Sequence, residues 1–359
     1  MNGAPIRVLD LSGPPRAMGA AHGSAYAAEI RDYTADRIVL SGEGTDLTTD
    51  QLLDIAARCM PAHEAYSESL TDEMRALAAG AGVSPEEALI VGGYTDFIDV
   101  VRAEAGVARV DDTCTAVIVP DDRASGAGFL AQTWDMHASA TPHVLMLDLR
   151  PEREPAALVF STVGCLGQIG MNEAGIAVGI NNLTAADGRV GVTWPFVVRK
   201  ALQQSEFERA VACILDADLA GGHNFLVFDA DGNGASVEAM PTATHVHRLD
   251  GPLVHTNHCV APGPRAVEGA RPADLDASSR TRLAHATEMV ARGRLGLQEL
   301  MALTRDERSI CRHPQPPYSY ESCGAAIMRP RTREFWACWG VPSENEYERF
   351  ELDRVGVDG

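Results

Sequence analysis

An α+β fold, with antiparallel sheets layered against helices, is what this chain of 359 residues predicts. Three observations predict it. The first hundred residues read as Ala-rich helices, the stretch from Cys114 onward reads as short alternating strands joined by Gly, Asn and Asp turns, and helices return later in blocks. Blocks of strands and of helices favour antiparallel sheets, since strict alternation is the mark of parallel βαβ units. With 45% hydrophobic residues the chain can bury a substantial core.

In order, "RAMGAAHGSAYAAEIRDYTADRIVL" has helical spacing of its apolar residues, and "TTDQLLDIAARCMPAHEAYSESLTDEMRALAAGAG" reads as further helix interrupted near Pro61. "SPEEALIVGGYTDF" opens with a start signal: Ser84 can cap, Pro85 suits the first helical position and Glu87 can close the capping box. From Cys114 the texture changes. "CTAVIV" and "GFLAQTWD" flank the turn-rich "PDDRASGA" as a hairpin, "HVLMLDL" and "AALVFSTV" follow, and "GQIGMNEAGIAVGINNL" reads as strand, turn, strand, with Met171, Asn172 and Glu173 at the turn. Helix returns in "PFVVRKALQQSEFERAVACILDAD", a hairpin in "HNFLVFDADGNGASVEAM", helix in "SSRTRLAHATEMVARG", and a last strand pair in "AAIMRP" and "REFWACWG".

Composition narrows the function. Lys and Arg total 30 against 50 Asp and Glu, a net charge of −20, and a field of that sign repels nucleic acid and anionic membranes. The start, "MNGAPIRVLDLSG", carries no targeting pattern and no apolar run has the length of a membrane span, so a cytoplasmic protein is expected. Eight cysteines, at 59, 114, 165, 213, 259, 311, 323 and 338, include no CxxC pair, which removes zinc ribbons and thioredoxin-type sites. By default each is a reduced, buried small hydrophobe. Cys114 stands apart because it opens the strand-rich region directly behind Asp111, Asp112 and Thr113.

Six strings occur in order over most of the chain: "GPPRAMGAAHG", the Cys114–Thr115 pair, "LAQTWD", "GQIGMNEAGIAV", "HTNH" and "SICRH". Together they resemble the acyl-coenzyme A:6-aminopenicillanate acyltransferase family of cysteine N-terminal nucleophile hydrolases, which includes relatives that cleave β-alanyl amides of biogenic amines. The resemblance implies a four-layer αββα sandwich and a precursor that cuts itself before an internal cysteine. Residues 1–113 would then be a mainly helical segment and residues 114–359 the catalytic segment, the two fragments staying associated in one compact unit. No cofactor and no metal are implied. The partner is a small-molecule amide, and a homo-oligomer is left open.

The chemistry accounts for the position of Cys114. Thiol and α-amine have ordinary pKa values of about 8.5 and about 7.7–8.0, so proton transfer between them is cheap and the freed amine can serve as base and then acid. Before cleavage that amine is locked in the Thr113–Cys114 peptide, and Cys114 must first attack the carbonyl of Thr113. Two departures from the family pattern stand here: β-branched Thr113 where glycine is frequent, and Ala116 where a second hydroxyl is frequent. Thr115 keeps one hydroxyl near the site.

The resemblance further implies that Asp135 orients the α-amine or an oxyanion donor, that the Asn257 amide donates to the oxyanion, and that Arg312 stabilises charge or a substrate carboxylate. Gln168 and Thr115 are candidates to line the substrate cleft, and Tyr94, Trp134, Phe97 and Trp194 could form an apolar wall of it, although core packing is the better reading for each of these four. The expected activity is hydrolysis of an N-acyl or aminoacyl amide through an acyl-Cys114 thioester, with acyl-CoA-dependent N-acyl transfer as the alternative. A remote alternative is a zinc-dependent hydrolase using His245, His247, His255, His258 and Cys259, although no HExxH occurs. A serine hydrolase is disfavoured because the chain has no GxSxG, and an inert binding domain would need an unreactive Cys114.

Overall fold

The computed structural model describes residues 5–106 and 113–352, so Asp111 and Asp112 lie outside the described residues. The N-terminal part comprises β1 (Val8–Gly13), α1 (Pro15–Ala25), α2 (Ala27–Gly42), α3 (Thr49–Tyr66), α4 (Glu68–Ala81), α5 (Pro85–Gly92) and α6 (Tyr94–Ala105). Then follow β2 (Ala116–Val119), β3 (Phe129–His137), β4 (Val144–Pro151), β5 (Ala157–Thr162), β6 (Ile169–Asn172), β7 (Ile176–Leu183), α7 (Trp194–Leu202) and α8 (Phe207–Leu215). The remainder is β8 (Gly222–Asp229), β9 (Gly234–Ala239), β10 (Thr244–Arg248), β11 (Leu253–His255), α9 (Pro262–Arg265), α10 (Ala273–Ala291), α11 (Leu297–Thr304), β12 (Tyr320–Arg329), β13 (Glu334–Trp339) and β14 (Tyr347–Glu351).

Two sheets result, one of eight strands in the order β1-β4-β5-β6-β7-β8-β9-β10 and one of six in the order β11-β2-β3-β12-β13-β14. The sheets face each other through β2 and β3 against β7 and β8; α7 and α8 cover the first, and α10 and α11 cover the second. This is a four-layer αββα sandwich. Each hairpin expected from turn residues forms, namely β2–β3, β6–β7, β8–β9 and β12–β13, and the two strands β4 and β5 also pair with each other.

Four local expectations are corrected. Residues 8–13 form a strand, not helix, because they pair with β4, and that pairing is parallel in sheets otherwise antiparallel. Its partner lies far along the chain, so no local pattern announces it. Helix α3 runs through Pro61 without interruption, since the proline sits on the exposed face where water can take the carbonyl it leaves unbonded. The expected first helix divides at Tyr26 into α1 and α2, and "PFVVRKALQQSEFERAVACILDAD" divides into α7 and α8. The expected capping box at the start of α5 forms, with Glu87 N–H donating to Ser84 Oγ at 3.2 Å and Ser84 N–H to Glu87 Oε2 at 2.7 Å.

Strand parity places the site. Along β2, Ala116 and Ile118 point into the core between the sheets, while Val117 and Val119 point into a second core against α10 and α11. Continuing that alternation backwards aims Cys114 between the sheets and Thr115 toward α10. The strand itself begins at Ala116, two residues later than expected, but Thr133 N–H donates to Thr115 O at 3.0 Å and carries the pairing one residue further.

Near the sandwich edge, His255 of β11 and Glu238 of β9 join the two sheets, His255 Nε2 lying 2.9 Å from Glu238 Oε1. Burial opposes ionisation of Glu238, but the hydrogen bond and charge of His255 and the N–H groups of Val260 and Ala261 outweigh it, so its pKa is held below the ordinary value of 4.5. A carboxyl depressed in the folded state adds stability that is complete above its unfolded pKa and is lost as pH falls through the folded one. Glu238→Gln should therefore lower the unfolding midpoint at neutral pH and flatten the acid-side loss of stability below about pH 4.5. Parallel pH–stability curves for the two proteins in chemical denaturation would overturn this assignment.

Candidate active site

Cys114 is 2% exposed, and its Sγ accepts the backbone N–H of Asp135 at 3.3 Å. The contact follows from the β2–β3 hairpin, whose register pairs Ala116 with Gln132 and, extended two residues, sets Trp134 opposite Cys114 on the inner face. Trp134 also packs edge-on against Phe160 of the facing sheet. Asp135 has the opposite parity and shares the α10 side with Thr115. Its carboxylate takes Thr113 Oγ1–H on Oδ2 at 3.1 Å and Ser322 Oγ–H on Oδ1 at 2.7 Å. A β-bulge in β12 makes the second bond: the register shifts between Ser322 and Gly324, and Ser322 then pairs with Asp135.

Asn257 follows β11, whose pairing of His255 with Ala116 leads Asn257 toward Cys114. Its Nδ2 donates to Asn182 O at 3.2 Å, its backbone N–H donates to Ser279 Oγ at 3.0 Å, and its Oδ1 accepts from Arg282 Nη2 at 2.9 Å. Arg282 is the residue the sequence reading missed. Fully buried on α10, it also donates from Nη1 to Cys114 O at 2.5 Å and to Thr115 Oγ1 at 3.0 Å. A helical signal was present, since the buried face of α10 includes Leu275, Ser279, Arg282, Ala286 and Val290, and an arginine on such a face needs partners. Arg312 reaches the same group less directly, donating its backbone N–H to Ser322 Oγ at 3.0 Å and Nη1 to Ser278 Oγ at 3.1 Å.

Electrostatics follow from burial. Desolvation pushes the Asp135 carboxyl up, opposed by the charges of Arg282 and Arg312 and by the bonds from Ser322 and Thr113. Desolvation pushes Arg282 down to about 10, opposed chiefly by Asp135. Burial also raises every other thiol: Cys165 and Cys213 to about 11, Cys323 and Cys338 to about 12, and Cys59, Cys259 and Cys311 in the same direction. A raised thiol is a poor nucleophile.

Two expected cleft residues are held by other contacts. Tyr94 stacks on the guanidinium of Arg37 at 4.7 Å and meets the His137 ring, and Gln168 Nε2 donates to Thr162 Oγ1 at 3.1 Å. Phe97 is core, and Trp194 lies flat on the buried His223 ring. Of the histidines of the zinc alternative, His245, His247 and His255 border one pocket beside Glu238, but they are not free to act together as ligands. His245 and His247 are exposed on β10, His255 is bonded to Glu238 and Thr256 O, and His258 to Ser279. Among the described residues no three His, Cys, Asp or Glu side chains are grouped to hold a metal ion. Nor, among them, is any helix long and apolar enough to cross a membrane.

Fold and site thus define an αββα protein with a buried cysteine, aspartate, asparagine and arginine gathered at one strand end and a half-buried second arginine, Arg312, behind them. The chain belongs to the acyl-coenzyme A:6-aminopenicillanic acid acyl-transferase family, whose profile matches residues 122–344, a span that holds Asp135, Asn257, Arg282 and Arg312 and begins just past Cys114. It is similar to the acyl-coenzyme A:6-aminopenicillanic-acid-acyltransferase 40 kDa form of Emericella nidulans, 26% identical over 264 residues that cover 71% of this chain and 70% of the relative. Among solved structures it is similar to a mutant form of the conjugated bile acid hydrolase of Clostridium perfringens, with 10% identity, TM-score 0.45, and 67% of this chain and 97% of that one covered. It is also similar to the penicillin V acylase of Agrobacterium tumefaciens, with 12% identity, TM-score 0.43, and 67% and 86% covered.

The Ser322 bond to Asp135 yields a direct test. Ser322→Ala leaves a buried carboxylate oxygen short of a donor, and such a loss typically costs about 1–3 kcal/mol. The unfolding free energy from denaturant titration should fall by that amount, and a change under about 0.5 kcal/mol would mean that Asp135 is not held this way.

Proposed function

We propose that this member of the family is a self-processing cysteine N-terminal nucleophile amidohydrolase. The observation that carries the proposal is the placement of Cys114: its thiol lies between the sheets on the Asp135 N–H, while the Asp135 carboxylate binds Thr113, across the peptide to be cut. In the precursor the Cys114 sulfur attacks the Thr113 carbonyl carbon, the C–N bond breaks, and the departing nitrogen takes the thiol proton to become the α-amine. Water then opens the thioester, releasing the Thr113 carboxylate and restoring the thiol.

In turnover the freed amine takes the thiol proton and the sulfur attacks the substrate amide carbonyl. The second Asn257 Nδ2–H donates to the tetrahedral oxyanion, and the ammonium returns its proton to the leaving amine. Water, with the amine again as base, hydrolyses the acyl-Cys114 thioester. Asp135 orients the amine, Arg312 supplies positive charge from behind Ser322, and Trp134 offers an apolar wall beside the sulfur.

The two fragments have reason to remain together. Helix α6, the last before the cut, is fixed to the eight-stranded sheet and its loops by Asp96, which accepts Trp194 N–H at 2.7 Å, and by Asp99, which accepts the N–H groups of Ala185 and Gly222 at 3.1 Å. Hydrolysis is favoured over transfer from acyl-CoA because a chain of net charge −20 disfavours a polyanionic donor. The name of the Emericella nidulans relative supports the transfer reading, in which an amine replaces water at the acyl-Cys114 stage.

Intact-mass analysis of purified protein should show fragments ending at Thr113 and beginning at Cys114, and an acyl adduct on the second after exposure to N-acyl and aminoacyl amides. Cys114→Ala should remain folded, uncut and inactive, whereas Ala at any of the other seven cysteines should retain turnover. An active, uncut wild-type chain would remove the processing step, and an active Cys114→Ala variant would remove the nucleophile.

A further inference from the structure

An asparagine amide presents two ends of nearly equal shape, one donating and one accepting, so an oxyanion donor of this kind works only if something fixes which end faces the reaction. We infer that Arg282 is the positioning residue that does this, fixing the Asn257 amide and tying it to the Cys114 backbone as one unit. The inference rests on the proposed role of Asn257. Arg282 has only N–H donors and meets Asn257 Oδ1 at 2.9 Å, while on the other side Asn182 offers only a carbonyl oxygen, 3.2 Å from Nδ2. Turning the amide over would set donor against donor and acceptor against acceptor. Both contacts are buried, so water cannot repair them.

The same guanidinium reaches Cys114 O at 2.5 Å and Thr115 Oγ1 at 3.0 Å through its other terminal nitrogen. One rigid fork therefore spans the nucleophile's own backbone and the amide of the oxyanion donor, two positions that the β11–β2 register brings near each other. Helix α10 completes the bracket, since Ser279, one turn before Arg282, accepts the Asn257 backbone N–H. Among the described residues, none of the groups that Arg282 binds directly is charged. Its contribution is geometric, in a place where a lysine ammonium, a single point donor on a flexible stem, cannot bridge both partners.

The test uses the two fragments co-expressed, with Cys114 made as a free N-terminus, so that self-cleavage does not enter the rates. Arg282→Lys keeps the charge and should lower kcat at least about tenfold while leaving KM within about threefold. Arg282→Met, which replaces a buried cation by an apolar chain of similar length, is the second variant and should do the same. In an Asn257→Ala background either change should alter kcat by less than about threefold, because the residue through which Arg282 acts is gone. A purely structural role predicts instead that the effects multiply. Multiplying effects, a kcat within about twofold of wild type for Arg282→Lys, or failure of both variants to fold would each overturn the inference. Cys114→Ala assayed alongside separates the two failures: if it retains turnover the proposed function falls, and if it is inactive while the effects multiply only the role of Arg282 falls.

Discussion

A fully buried arginine with no carboxylate among its direct partners in the described residues is costly, and the arrangement around Cys114 depends on one. Burial lowers the pKa of Arg282, which comes to about 10, and the charge of Asp135 is the main influence against that lowering. The cation stays because it is bound by Cys114 O, Thr115 Oγ1 and Asn257 Oδ1, drawn from the start of β2 and the end of β11. Charge-assisted bonds of this kind are stronger than neutral ones, and removing a partner leaves a buried charge under-satisfied. Three separate stretches of chain are thereby held in one geometry. Asp135 gains in turn, since the nearby cations and two hydroxyl donors oppose the desolvation that would neutralise it.

The layered fold was legible because its signals are local. Alternation over six to eight residues, Asn-Glu-Ala-Gly and Asp-Gly-Asn-Gly turns, and the capping box at Ser84 each concern neighbours in sequence. What escaped was non-local. β1 buries little of its own surface and exists as a strand because β4 accepts it in parallel register. Pro61 carries a strong helix-breaking signal, but its cost depends on which way the helix faces, and α3 turns it to solvent.

The site divides along the same line. Cys114, Thr113 and Asp135 belong to one hairpin, so its register brings them together, and Asn257 arrives by the next strand pairing. Arg282 has no motif around it; only its place among Leu275, Ser279, Ala286 and Val290 on a helix face marks it as buried. Gln168 is a cleft candidate because it opens a strand and Tyr94 because it is aromatic, and neither feature determines a residue's neighbours. Tyr94 is taken up by Arg37 and His137, Gln168 by the corner between β5 and β6.

Thr113 shows how a local rule reverses once geometry is known. A β-branched residue crowds its own carbonyl and counts against nucleophilic attack there. Its hydroxyl, however, occupies Asp135 Oδ2 while Ser322 occupies Oδ1, so in the uncut chain both oxygens of a buried carboxylate are satisfied. On the proposed cleavage Thr113 becomes a chain end, free to leave that oxygen. The group created at the same moment is the Cys114 α-amine, one peptide bond away and able to donate in its place. On that proposal Thr113 would act as a placeholder for the amine, since the bond it makes in the precursor keeps the Asp135 carboxyl aimed before there is an amine to aim at. Glycine at that position would ease the attack but leave Oδ2 without this donor, so under the proposed cleavage the crowding at the carbonyl would be offset by a carboxylate already in place for the new N-terminus.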